Sequence, residues 1–283
     1  MKPVFCFIDD AEFELQNFRR FAAAAFDKVD FVYALTFAEA QRALQGRIPL
    51  CFLLDLYGTD PQVSAPRVPG RDELSATLGP VPTLDTIYQG LQGEGTELGN
   101  LFLRRLYAQV DGWQRTFLHA AGLLGQGLGY GLANLESVRA AYPWAAAVGY
   151  SRKSLYADAV RACLAEMDGL LQKPPGSGED EIARATRSAA PALAKTAYRA
   201  VDRRLTQQVM PLALRLAQEK ARPELVDALV DCVGRLGVAE LGHSTRAPQE
   251  SMAAISKTLS APSALTKPEA DLLRALSEWL EHR

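Results

Sequence analysis

Carboxylates follow two short apolar runs of the sequence, and a serine and a lysine follow two others. Asp9 and Asp10 come directly after VFCFI, Asp55 follows LCFLL, Ser151 closes VGYS, and Lys173 comes shortly after GLL. Three carboxylates brought together repel one another, and a hard divalent cation with oxygen ligands relieves that repulsion. A carboxylate beside such a cation, an ammonium and a hydroxyl is equipped to attack phosphorus. These residue types predict a Mg²⁺ site in which Asp55 forms a transient aspartyl phosphate.

The elements that must position these side chains are short strands buried on both faces. Continuous apolar runs rich in branched and aromatic residues are typical of such strands. Helical patterns separate them, and this alternation predicts a doubly wound α/β fold with a parallel sheet. In the flavodoxin-like order 2-1-3-4-5, strands one and three are neighbours at the switch in strand order, where functional groups gather. The predicted strands are 4–8, about 29–34, 50–54, 145–150 and 169–171.

The alternation is interrupted once, between strand three and its following helix. From Gly58 to about Gly95 the chain is rich in proline and glycine, which predicts loop and turn. Residues 96–125 then carry Leu106, Val110 and Trp113 among apolar residues at helical spacing, a pattern typical of a core-facing helix. Residues from about 59 to 130 therefore look like a helical insertion, long enough to serve as a lid or a partner surface.

Beyond KPPGSG the sequence shows helical periodicity only. Breaks at prolines and glycines separate the predicted helices, including one break at Pro211. We predict an α/β domain over residues 1–195, insertion included, and an all-α interaction or output domain over 196–283. The predicted C-terminal helices are 179–207, 211–221, 223–237, 248–259 and 268–281.

Composition narrows the class of protein. The formal net charge of −2 gives no excess of base to recruit nucleic acid. No stretch approaches the ~20 apolar residues that span a bilayer. Four cysteines without a CxxC pair, of which Cys6 and Cys51 lie in apolar runs, favour a reducing compartment. We expect a cytoplasmic protein.

Taken in order, the motifs resemble the receiver domain of response regulators in two-component signalling. The matching stretches are IDD at 8–10, LLDLYG at 53–58, VGYS at 148–151 and LLQKP at 170–174. Asp10 and Asp55 are 45 residues apart, and Ser151 and Lys173 are 22 apart, both ordinary spacings for receivers. The resemblance covers residues 1 to about 57 and 130 to about 195, without the inserted segment.

The resemblance implies a phosphorylation-responsive signalling protein. Its partners would be a sensor histidine kinase or phosphotransfer protein, and an output protein bound through the insertion or the C-terminal helices, with a homodimer as a further option. The implied roles are metal ligands for Asp9, Asp10, Asp55 and the backbone carbonyl of Tyr57, phosphoacceptor for Asp55, and phosphoryl contacts for Ser151 and Lys173.

Two departures leave alternatives open. Arg152 stands where receivers carry a small residue, and it would either restrict phosphodonor access or pair with the phosphoryl group. Leu170 replaces the switch aromatic of many receivers, for which Tyr150 is a possible substitute. One alternative is therefore a pseudo-receiver that binds partners without being phosphorylated.

A second alternative comes from the stretch LLDLYGTD. It is similar to the first motif of haloacid-dehalogenase-type phosphohydrolases, which also form an aspartyl phosphate. Those enzymes need a second acid two places after the nucleophile, as general acid and base, and here that place holds Tyr57. In the simplest reading Asp9 and Asp10 only cap the first helix, a position that favours Asp.

Overall fold

A computed structural model of the chain describes residues 2–59, 63, 65–80, 83–91, 95–153, 156–220, 222–240, 249–260 and 265–282. The chain divides into two compact units. One consists of Met1–Tyr57 with Gly129–Arg283, and the other of Gly58–Leu128.

The first unit is built on a five-stranded parallel sheet with the strand order β2-β1-β3-β6-β7. This confirms the predicted α/β class, the parallel pairing and the order of the five strands. The strands are β1 (Val4–Ile8), β2 (Asp30–Ala34), β3 (Pro49–Leu54), β6 (Ala146–Ser151) and β7 (Gly169–Gln172), while β4 (Gly58–Thr59) and β5 (Gln126–Gly127) belong to the second unit.

Each predicted strand lies within one or two residues of its observed bounds. Every residue of the central strands β1, β3 and β6 is buried, which explains their continuous apolar runs. The edge strands β2 and β7 are only partly buried, so the prediction that all five strands are buried on both faces is wrong for these two. The helices are α1 (Glu12–Phe21), α2 (Phe37–Leu44), α3 (Arg71–Leu78), α4 (Leu84–Tyr88), α5 (Thr96–Leu123), α6 (Gly129–Ala141), α7 (Tyr156–Leu164), α8 (Glu179–Gln218), α9 (Pro223–Glu240), α10 (Gln249–Ser260) and α11 (Lys267–His282).

Helices cover both faces of the sheet. Phe5 packs against Tyr198 of α8 and Trp279 of α11, with ring centroids 5.9 and 6.1 Å away. Phe52 pairs in register with Cys6, so it faces the opposite side from Phe5, because side chains alternate along a strand. There the Phe52 ring contacts Phe37 of α2 at 6.1 Å. Helices α1 and α8 contact each other, as do α2 and α6.

The long helix α8 corrects the predicted break at Pro211. The helix runs from Glu179 to Gln218 and contains both Pro191 and Pro211. Buried residues flank the second proline, including Leu212 directly after it, so packing outweighs the lost backbone hydrogen bond. The domain boundary predicted at residues 195 and 196 falls inside this helix, and α8 to α11 group with the sheet in one compact unit.

The second unit also differs from expectation. Its proline- and glycine-rich part contains the helices α3 and α4, where loop and turn were predicted. Local side-chain bonds explain α3: Glu73 accepts from the Gly70 N–H at 3.4 Å and from both terminal nitrogens of Arg67 at 2.8 Å. The helix predicted over 96–125 is confirmed as α5. Its expected core face is wrong at Leu106, Val110 and Trp113, which are exposed.

Cys6 and Cys51 are buried, as predicted, and both are free thiols. Among the helices that the structure describes, none combines the length and apolar character needed to cross a bilayer.

Candidate functional site

The ends of β1 and β3 bring the predicted carboxylates together. Ile8 and Leu54, the last residues of these neighbouring strands, are partners in register. The backbone N–H of Asp55 donates to Ile8 O at 2.9 Å, which carries the pairing one residue further. Asp9 and Asp55 therefore leave the sheet side by side, at its carboxyl edge, as the strand order predicted.

Asp9, Asp10 and Asp55 form one acidic cluster. Each offers a carboxylate oxygen, and these oxygens all lie within 4.8 Å of one another. Asp9 and Asp55 are buried, and Asp10 is partly exposed. Oxygens of an octahedral Mg²⁺ site lie roughly 2.9–4.2 Å apart for metal–oxygen bonds of about 2.0–2.1 Å. The donor set therefore fits a hard dication after a small contraction.

Two of these carboxylates are already tied to backbone N–H groups. Asp9 Oδ1 accepts from the N–H of Ala11, the N-cap residue of α1, at 3.0 Å. Asp55 Oδ1 accepts from Leu56 N at 2.9 Å. These bonds fix the direction of both side chains. The interpretation in which Asp9 and Asp10 only cap the first helix is wrong, because the N-cap residue of α1 is Ala11 and no side chain makes its cap hydrogen bond.

Lys173 neutralises part of the cluster from the end of β7. Its buried ammonium donates to Asp9 Oδ2 and lies 3.6 Å from Asp55 Oδ1. The ammonium lies over the rings of Phe7 and Tyr150, with Nζ 5.8 and 5.9 Å from the ring centroids. The structure thus brings Lys173 to the carboxylates, as the sequence predicted.

The pKa values at this site reflect burial and charge acting against each other. Burial raises the pKa of Asp9 to about 6, although the Lys173 ammonium pulls it down and the Asp55 carboxylate pushes it further up. Burial alone would lower the pKa of Lys173. The negative charges of Asp9, Asp55 and Glu14 outweigh burial and raise the lysine pKa above its usual value. The Lys173 ammonium therefore stays charged, and its attraction partly offsets the burial that disfavours the charged form of Asp9.

Ser151 and Tyr57 occupy the positions expected of them in the fold. Ser151 is the last residue of β6 and is fully buried, and its carbonyl accepts from Lys173 N at 3.0 Å. Tyr57 lies two residues after Asp55 and is buried, and its hydroxyl donates to Asp158 Oδ2 at 2.8 Å. Its hydroxyl is thus engaged with α7, and the role of its carbonyl as a metal ligand stays a prediction.

Glu14 is a site residue that the sequence reasoning missed. It lies in the first turn of α1, and its Oε2 is 3.9 Å from Lys173 Nζ. Its carboxylate also binds Arg152, whose Nη2 is 2.9 Å from Oε1 and 3.1 Å from Oε2. Arg152 additionally donates to the carbonyl of Pro174. One signal was available: Glu14 follows Asp10 by four residues, about one helical turn.

The start of α6 approaches the site closely and was also missed. Gly131 N donates to Leu56 O at 3.1 Å, and a Cβ at Gly131 would lie 2.6 Å from Leu56 Cα and 2.7 Å from Asp55 O. Glycine is therefore required for this approach. The neighbouring Tyr130 donates to Leu35 O at 2.6 Å. Burial raises the pKa of Tyr130, and the negative charges of Asp9, Asp10 and Asp55 raise it further.

Two comparisons with known proteins find no relative of this chain. No protein-family model matches the chain, and a search of curated proteins finds no significant match. Inference about function rests on the site itself.

Proposed function

We propose that this chain is a receiver-like signalling protein with a flavodoxin-like sheet, which accepts a phosphoryl group on Asp55. One observation carries the proposal. The carboxylates of Asp9, Asp10 and Asp55 converge at the carboxyl edge of the sheet, with the Lys173 ammonium against two of them. A phosphoacceptor carboxylate needs this combination of a cation site and a fixed positive charge.

The proposed reaction is a single group transfer. An oxygen of the Asp55 carboxylate forms a bond to phosphorus while the bond from phosphorus to the donor's leaving atom breaks, and the leaving group keeps the electron pair. Mg²⁺, held by Asp9, Asp10 and Asp55, would neutralise the phosphoryl oxygens during this step. Lys173 pairs with the transferred group, and Ser151 donates a hydrogen bond to it. The carbonyl of Tyr57 completes the proposed ligand set.

Partners follow from the chemistry. A histidine kinase or phosphotransfer protein would supply the phosphoryl group in the cytoplasm, and an output protein would recognise the phosphorylated state. Arg152 is a candidate link between phosphorylation of Asp55 and recognition by the output protein. Its guanidinium bridges Glu14 of α1 and the loop after β7. A phosphoryl group on Asp55 would compete for Lys173 and so alter the charges around Glu14 and Arg152.

A pseudo-receiver remains the second candidate, for a specific reason. Asp55 is only 5% exposed, and Arg152 is anchored to Glu14 and Pro174. Such a closed site favours a binding module whose partner contacts do not depend on phosphorylation. The phosphohydrolase alternative gains no support, because the place of its second acid holds Tyr57, whose hydroxyl is bonded to Asp158.

The deciding experiment is phosphorylation by a small phosphodonor. Wild-type protein incubated with acetyl phosphate and Mg²⁺ should gain one phosphoryl group by intact mass. Asp55→Asn should gain none, whereas Asp27→Asn, an exposed aspartate outside the site, should label like wild type. Equal labelling of Asp55→Asn and wild type would contradict the assignment. Absence of labelling in wild type and in Arg152→Ala alike would favour the pseudo-receiver.

A further inference from the structure

Helix α5 exposes a row of large apolar side chains. Leu103, Leu106, Tyr107, Val110 and Trp113 are 60%, 40%, 69%, 45% and 53% exposed. Their spacing places them on one side of the helix, within three turns. We refer to these five residues as the α5 stripe. Three of its members, Leu106, Val110 and Trp113, belong to the helical pattern that was predicted to face a core.

The opposite side of α5 is already packed. Gly112 and Thr116 are buried there, and a Cβ at Gly112 would lie 3.4 Å from Leu78 O at the end of α3. Contacts with α3 and α4 therefore hold the helix in the second unit, and the stripe is not needed for them. A surface of this size has a cost in water unless another surface covers it.

The exposed area of the stripe is large enough for a protein interface. From the exposed fractions, the five side chains present on the order of 600 Å² to solvent, the upper end for the largest patch on an ordinary monomer. Two such patches facing each other would bury about 1,200 Å², the lower limit of a standard interface. Two copies of the stripe thus suffice for a reversible dimer.

The charged residues beside the stripe are self-complementary, because a positive charge of one copy can lie opposite a negative charge of a second copy. Arg104 and Asp111 lie on the same flank, seven residues or about 10.5 Å apart along the helix. In an antiparallel pair of α5 helices with its two-fold axis between Tyr107 and Ala108, Arg104 of each copy lies opposite Asp111 of the other. Asp111 forms an exposed ion pair within the helix, with its Oδ2 3.4 Å from Arg115 Nη2. A carboxylate can accept from more than one donor, so the other oxygen of Asp111 can pair with a second cation.

We propose that the α5 stripe is the interface of a homodimer in which two copies of this chain pair α5 antiparallel. The apolar side chains of the stripe form the buried centre. The two Arg104–Asp111 pairs lie at its rim and select the antiparallel arrangement over the parallel one, in which this flank would not meet itself. The proposal is independent of phosphorylation, because it uses no residue of the acidic cluster.

The first test is the molar mass of the full chain as a function of concentration. Analytical ultracentrifugation should show a monomer–dimer equilibrium with a dissociation constant on the order of micromolar. Val110→Asp should raise that constant at least about tenfold, because it places a charge at the buried centre. Val68→Asp is the matched control, since Val68 is 80% exposed in the same unit but outside the stripe, and it should dimerise like wild type.

The second test is charge reversal at two solvent-accessible side chains of α5, Arg104 and Asp111. Arg104→Asp alone and Asp111→Arg alone should each weaken the dimer, because like charges then meet across the interface. The double variant Arg104→Asp/Asp111→Arg should recover the wild-type constant.

Three outcomes overturn the proposal: a monomer at every concentration, a dimer that Val110→Asp does not weaken, and a double reversal no tighter than the single ones. Circular dichroism of each variant verifies that it is folded. Phosphoryl labelling of Asp55 is measured separately, so failure of the dimer and failure of the phosphoacceptor are distinguished.

Discussion

Replacing Lys173 with methionine removes one buried positive charge and keeps an unbranched side chain. In wild type the ammonium contacts Asp9 directly, lies 3.6 Å from Asp55 Oδ1 and is almost completely buried. The variant leaves these two buried carboxylates close together without their cation. We expect it to be strongly destabilised when no divalent cation is added.

The size of the effect follows from distance and burial. At 3.6 Å and an effective dielectric constant of ~20, attraction between the Lys173 ammonium and the Asp55 carboxylate is about 4.6 kcal/mol. Asp9 contributes a second attraction of similar or larger size. The desolvation cost of the ammonium disappears with its charge and offsets several kcal/mol of this sum. A net loss of about 3–5 kcal/mol in the free energy of unfolding is therefore expected.

Urea unfolding followed by far-UV circular dichroism measures this loss. Lys195→Met is the matched control, because Lys195 is exposed on α8, and it should change stability by no more than about 0.5 kcal/mol. Saturating Mg²⁺ should stabilise Lys173→Met more than wild type, since the carboxylates no longer have an ammonium competing with the metal.

A loss below about 1 kcal/mol would refute the charge balance at this site. So would an equal effect of Mg²⁺ on Lys173→Met and on wild type. The first result would mean that the carboxylates are neutralised by protonation or by solvent, and the second that the ammonium does not compete with the metal for the carboxylates.

Three further substitutions test the surroundings of the site and the packing of the sheet, each by urea unfolding. Gly131→Ala should lower the free energy of unfolding by about 1–3 kcal/mol, because its Cβ would lie 2.6 Å from Leu56 Cα. The control Gly129→Ala should lower it clearly less, because a Cβ there meets no atom within 4 Å among the described residues. Glu14→Gln should cost about 1–2 kcal/mol by weakening a partly buried ion pair with its arginine partner, and an unchanged stability would show that this pair is dispensable. Trp279→Phe should lower the free energy of unfolding by about 1–3 kcal/mol, because it removes a 2.7 Å hydrogen bond to a buried carboxylate of α8; a neutral result would show that this bond between α11 and α8 does not contribute to stability.

Much of the sheet was predictable from local sequence. Strands buried on both faces require uninterrupted apolar runs, and VFCFI or LCFLL satisfies that requirement almost without reference to the rest of the chain. The polar residue that ends such a run marks the carboxyl edge of the sheet. For this reason Asp9, Asp55 and Lys173 were predictable as neighbours once the strand order was assumed.

The helices were less predictable where specific contacts outweigh the general tendency of a residue type. Pro211 predicted a helix end, but the buried residues around it hold α8 in one piece. The glycine- and proline-rich segment predicted loop, but the bonds of Glu73 to Arg67 and Gly70 stabilise α3. In each case a few specific contacts are worth more than the average tendency of the residue type.

By itself, then, the sequence determined the strands, the polar residues at their ends and the helical character of α5 and of the C-terminal region. Only the tertiary structure brought Glu14 to Lys173, seated Gly131 against Leu56, and left the apolar side of α5 in solvent. The physical reason is range. A buried strand can be recognised from residues that are neighbours in the sequence. The contacts of α1 and α6 with the strand ends depend on residues far apart in the chain, and so does the choice of which face of α5 is covered.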